Sequence, residues 1–143
     1  MSVVYWSGFA IFYLLWLTWQ DVTQKCYVDD RKNYFMMGLT ISLYSHFPHP
    51  FVHIVLILAV VLGFYWAASN YKIVGEADIK TLGWILLGLA IVGFSSLIFF
   101  GVVFAVLTCF YVVLARLYRA RRVPFYPVIT AAFLVVVILT KLY

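Results

Sequence analysis

Residues 33–71 read NYFMMGLTISLYSHFPHPFVHIVLILAVVLGFYWAASNY, an apolar run without a single Asp, Glu, Lys or Arg. A helix crosses the hydrocarbon core of a bilayer in roughly 20 residues, so this run is about twice as long as one crossing needs. Its middle, SHFPHP at 45–50, holds two prolines and reads as a fold-back between two helices. The same measure applies outward from there. The charge-free stretches Met1–Gln20 and Val123–Thr140 hold one helix each. Thr81–Ala115 holds two, breaking at the small, polar GFSS of 93–96.

The expectation is six helices, about Val3–Trp19, Asn33–Phe47, Pro50–Ala68, Asp78–Val92, Ser96–Tyr118 and Pro124–Leu142. Composition agrees: 66% of the residues are hydrophobic and 10% charged, with a mean hydropathy of +1.05. A water-soluble domain of this size has too little interior for that much apolar surface. The reading is an all-α polytopic membrane protein, one transmembrane domain over residues 1–143 with no separate soluble part and no convincing internal repeat. Gly83, Gly88 and Gly93 recur at five residues, not the four of a helix-dimer motif, and read as local close packing.

The net charge of +5 is informative by position. Alternating six helices puts Lys25, Arg31, Lys32, Lys72, Lys80, Arg116, Arg119, Arg121 and Arg122 on one side, and Lys141 on the other. Basic loops stay in the cytoplasm, which places both termini outside and the 1–2, 3–4 and 5–6 loops inside the cell. Topology thereby accounts for RLYRARR at 116–122 without nucleic acid. The N-terminus lacks a basic n-region and a small-residue cleavage site, so the first span is expected to be retained. Cys26 falls in a cytoplasmic loop and Cys109 in the fifth span, a pair suited neither to a disulfide nor to a zinc site.

All five acids, Asp21, Asp29, Asp30, Glu76 and Asp78, fall on the cytoplasmic side. Within KIVGEADIKTLGWI, residues 72–85, Asp78 opens the fourth helix, while Asp21 follows the first. Both sit at about the same depth, so the first and third loops can bring them together. Two carboxylates sharing a site do not both ionise easily; one holds a proton while the other is charged. Such a pair activates a water and protonates a leaving amine with no metal and no covalent intermediate. Interfacial acids are also commonly just solvated, and spacing alone does not separate the two readings. Asp78 at a helix N-terminus near Lys80 favours its ionised form, and Asp21 near a helix C-terminus favours protonation. That division makes Asp78 the base and Asp21 the acid, although a coupled pair titrates jointly.

Gly75-Glu76-Ala77-Asp78-Ile79-Lys80, followed by Leu82, resembles the G-x-G-D-x-K-L signature of the type IV prepilin and preflagellin peptidases, intramembrane aspartyl proteases. Asp21, then Lys25, then YVDD at 27–30 resembles that family's first-loop aspartate, basic stretch and I-P-N-like turn. Val123-Pro124-Phe125-Tyr126-Pro127 is similar to its P-F-G-P approach to the last helix. The three stretches fall in the family's order within a six-span layout covering nearly the whole chain. There are departures. Ala77 stands where most members have glycine, although archaeal relatives accept a small or hydrophobic residue. Val28 replaces proline, Asp29 asparagine and Tyr126 the second motif's glycine. The chain also lacks the paired C-x-x-C motifs and methyltransferase domain of larger bacterial members.

The resemblance implies a peptidase-only enzyme of the cytoplasmic membrane that removes a short basic leader from prepilin-like or preflagellin-like substrates. It makes Asp21 and Asp78 catalytic, and Gly75, Ala77, Lys80, Pro124, Phe125 and Pro127 shapers of the site. No cofactor or metal is expected. Asp29, Asp30 and Glu76 would attract the basic leader, or simply balance Arg31 and Lys32 as solvated charge. Pro124 and Pro127 equally suit the first turn of a helix. Lys80 either tunes Asp78 or anchors at headgroup level. His46, His49 and His53 fall on the opposite side from the acids, interrupted by Pro48 and Pro50, and fit an outer loop better than a metal site. Two other classes compete: a small transporter or channel component, which would be expected to carry an acid near the midplane, and a catalytically inactive scaffold of a pilus or secretion assembly.

Overall fold

The computed structural model describes residues 3–24, 31–46, 51–71, 76–119 and 124–140, and over these the chain is helical. Six helices follow one another: α1 Val3–Thr23, α2 Arg31–Ser45, α3 Phe51–Tyr71, α4 Glu76–Val92, α5 Phe94–Leu117 and α6 Tyr126–Thr140. Helix number and order are those expected from the charge-free stretches. The boundaries differ where polar residues prove helical: α1 carries on past Trp19 through Asp21, and α3 past Ala68 to Tyr71. The expected break over 93–96 shrinks to Gly93, whose φ of 151° is a backbone state that side chains disfavour. Its N–H closes α4 on the carbonyl of Leu89, and α5 begins with the next residue. After α5, Arg119 takes a left-handed φ of 51° and bonds back to Arg116, stopping the helix as a C-terminal cap.

The chain divides into two compact units, Asp29–Phe94 with Met1–Val3, and Val4–Val28 with Ser95–Tyr143. In the first, α2 and α3 both pack on α4. One face of α2, at Asn33, Met36, Thr40 and Leu43, is buried, a spacing of three or four that follows the helical turn. Ile79, Leu82, Trp84, Ile85 and Leu89 of α4 and Ile57 of α3 complete that core.

In the second unit α1 and α6 run antiparallel. Trp6 meets Phe133 edge-on at 5.9 Å, Thr18 meets Thr130 at 2.7 Å, and Asp21 meets Tyr126. Thr130 also donates to the Leu14 carbonyl at 3.3 Å, so the Thr18 hydroxyl donates to Thr130. From α5 the buried residues are Ser96, Phe100 and Phe104, each four positions apart.

The mainly apolar interior also holds polar side chains, and many large apolar side chains stay outside. Ser7, Asp21, Asn33, Thr40, Thr81, Ser96 and Thr130 are inside, whereas Phe9, Phe12, Trp19, Ile98, Val102, Val106 and Phe110 are among many large apolar side chains left exposed. Among the described residues one helix, α5, is long and apolar enough to cross a membrane, and α6 is a shorter apolar helix.

Candidate active site

Asp21 stands in the last turn of α1, beyond the apolar part that ends at Trp19, and is only 4% exposed. What buries it is the start of α6. The first residues of any helix have N–H groups without an intrahelical acceptor. Here the chain answers that need in three ways. The carbonyl of Phe125 accepts from the N–H groups of Val128 and Ile129, at 3.1 and 3.4 Å. Pro127 has no N–H to satisfy. The Tyr126 N–H is left, and it donates to Asp21 Oδ2 at 3.0 Å. Asp21 therefore caps α6 from another helix, 105 positions away.

The turn that presents this N–H is itself held. Tyr111 of α5 donates its hydroxyl to the Pro124 carbonyl at 2.6 Å, and Phe104 packs edge-on against Phe125 at 5.8 Å. Pro124, Phe125 and Pro127 are half-buried, and Tyr126 is 2% exposed. Tyr126 replaces a glycine in the resemblance, yet the contact with Asp21 runs through backbone, which tyrosine supplies as well as glycine does.

Burial pushes the Asp21 carboxyl above its ordinary value of 3.8, while the backbone N–H groups of Tyr126 and Phe125 pull the other way. The direction suits a proton donor. Its leading cause is loss of water around the carboxylate, not the C-terminal end of α1.

Asp78 lies in the first turn of α4, half-buried, and belongs to the other unit. Beside it the Ala77 carbonyl accepts from the side chains of Asn33, at 3.3 Å, and Thr81, at 2.9 Å. Lys80 holds its ammonium 4.7 Å from the centre of the Tyr34 ring, an α2–α4 cation–π contact. Asp21 and Asp78 are thus each fixed within their own unit, Asp21 against the Pro124–Pro127 stretch and Asp78 beside α2. Glu76 opens α4, and its side chain lies outside the described residues, as do Gly75, Asp29, Asp30, Cys26 and His49.

His46 is bonded through Nδ1 to the Ser42 carbonyl at 2.7 Å, and His53 stacks on Phe94 at 5.4 Å. Among the described residues there is no group of three or more His, Cys, Asp or Glu able to hold a metal. Cys109 is a free, exposed thiol on α5.

Several site residues escaped the sequence reading. Asn33, Thr81 and Trp84 form a buried polar cluster, and Tyr111 anchors the turn before α6. The one signal available was the spacing of Ala77, Thr81 and Trp84, which lie four and three apart on one face of a helix. No family model, no characterised protein and no solved structure matches the chain.

Proposed function

We propose that this protein is a polytopic membrane aspartyl endopeptidase that removes a short basic leader from prepilin-like or preflagellin-like substrates at the cytoplasmic face. The observation that carries the reading is the buried bond between Asp21 and the Tyr126 N–H. Two stretches that each resemble part of the peptidase pattern, far apart in sequence, meet at a carboxylate whose pKa is raised. A solvated interfacial acid has no such cover. The many exposed apolar side chains of α1, α3 and α5 support a lipid environment, because soluble monomers rarely expose large apolar patches.

In this reading Asp21 and Asp78 act on one water. The ionised carboxylate takes a proton from the water as its oxygen adds to the scissile carbonyl, giving a tetrahedral oxyanion. The protonated carboxyl then gives its proton to the leaving nitrogen as the C–N bond breaks, releasing leader and mature chain. Burial favours the proton-holding role for Asp21, and the N-terminus of α4 favours the ionised form of Asp78.

Asp21→Asn and Asp78→Asn test this. Each should nearly abolish removal of a basic leader, scored by gel shift with protein amount measured in the same samples. Because the two carboxylates act as a unit, the double variant should be scarcely worse than either single. Full activity in either single variant would refute the assignment.

A further inference from the structure

We propose that Asn33 is a positioning residue that fixes the aspartate-bearing first turn of α4, a role that rests on the peptidase reading of Asp78. Asn33 sits in the first turn of α2 and is 0% exposed. Its amide contacts three groups of α4: Nδ2 donates to the Ala77 carbonyl at 3.3 Å, and Oδ1 accepts from Thr81 Oγ1 at 3.0 Å and Trp84 Nε1 at 3.2 Å.

The orientation of the amide follows from its partners. An indole N–H only donates and a carbonyl only accepts, so oxygen must face Trp84 and nitrogen must face Ala77. The one Thr81 hydroxyl proton is shared between Oδ1 and the Ala77 carbonyl, so the Trp84 N–H is the donor committed to Oδ1 alone. The three contacted positions cover two successive turns of α4, and the first is the residue directly before Asp78. One buried side chain thereby sets both the rotation and the height of the head of α4. Next to it, Tyr34 and Lys80 join the same two helices at the neighbouring positions.

A carboxylate pair sharing one proton and one water tolerates little displacement; about 1 Å of misplacement costs on the order of 10²-fold in rate. A buried asparagine is also a common device for fixing the register of packed helices. The proposal goes further than register, because the amide holds the backbone at Ala77 rather than somewhere remote on α4.

The experiment compares Asn33→Leu, Thr81→Val and Asp78→Asn in detergent-solubilised full-length protein. The first readout is the ¹⁵N-indole signal of Trp84, identified by its loss in Trp84→Phe. In Asn33→Leu its exchange with solvent should accelerate. The second readout is the pH profile of leader removal, with kcat and KM per mole of folded protein. Displacing Asp78 alters how the carboxylate pair titrates, so the profile should shift in Asn33→Leu, with kcat down about 100-fold and KM unchanged within about twofold. A mere loss of folded protein scales the profile without moving it.

An unmoved profile, or an unchanged kcat beside a freed indole, would overturn the proposal. Should Asn33→Leu fail to accumulate, Thr81→Val decides, since it keeps the shape and removes the hydroxyl shared between the amide and the Ala77 carbonyl. A shifted profile there supports positioning, and an unshifted one overturns it. Full activity in Asp78→Asn would instead overturn the peptidase reading, and this inference with it.

Discussion

Replacing Asp21 by asparagine separates what the carboxylate does for the fold from what it does for chemistry. The group is buried, and its pKa lies above the ordinary 3.8 because burial outweighs the two backbone N–H groups. Between the unfolded and folded pKa values, the folded state therefore binds more protons than the unfolded one. The stability this implies is fully present below about pH 3.8 and is lost as pH rises through the raised folded value. Above about pH 3.8 burying this group costs the wild type stability, because the unfolded chain ionises it freely in water. Asparagine is neutral throughout, and its Oδ1 still accepts from the Tyr126 N–H, a bond worth a net ~0.5–1.5 kcal/mol. Asp21→Asn should equal or exceed the wild type in stability at pH 7, and its stability should lose the downward slope above pH 3.8. Asp21→Leu leaves the Tyr126 N–H buried without an acceptor and should lose about 1–3 kcal/mol. Both variants should be inactive in leader removal. Thermal unfolding in detergent, followed by circular dichroism across the acid-to-neutral range, measures the difference. If Asp21→Asn proves as unstable at pH 7 as Asp21→Leu, the negative charge rather than the acceptor holds α6. Loss of water around the carboxylate would then not be what governs Asp21, and the reasoning would fail.

Tyr111→Phe removes the hydroxyl that holds the Pro124 carbonyl and should cost about 0.5–1.5 kcal/mol in the same unfolding assay, with a larger effect on kcat than on KM. An impermeant thiol reagent added to intact cells, in a background without Cys26 and Cys109, should label a cysteine introduced at Ser45 and not one at Asn70. Labelling at Asn70 alone would reverse the orientation. A chelator should leave leader removal in detergent unchanged, because a carboxylate pair needs no metal, whereas loss restored by zinc would bring the histidines back into consideration.

The helices were legible because apolar length and interrupting charge are local properties of a chain. The end of α2 at Ser45 and the single-residue break at Gly93 fall inside the stretches expected to turn. The cover over Asp21 was not legible in the same way. Nothing around Asp21 in sequence predicts that a backbone N–H from the start of α6 meets it; only the resemblance put the two stretches in one site. Asn33 illustrates a second blind spot. It stood at the edge of a charge-free run, where polar residues are expected to be solvated. Its value comes from three partners on α4 that no local pattern reveals.

The bond between Asp21 and Tyr126 has a consequence for biosynthesis. Its two ends are separated by 105 positions, among the costlier loops for the chain to close. At about 5–20 residues per second, the ribosome delivers α6 roughly 5–20 s after Asp21 has been made. Throughout that interval the aspartate lacks its cap, and the turn that will cover it does not yet exist. A chain stalled or clipped before α6 would therefore leave Asp21 without the cover that raises its affinity for protons.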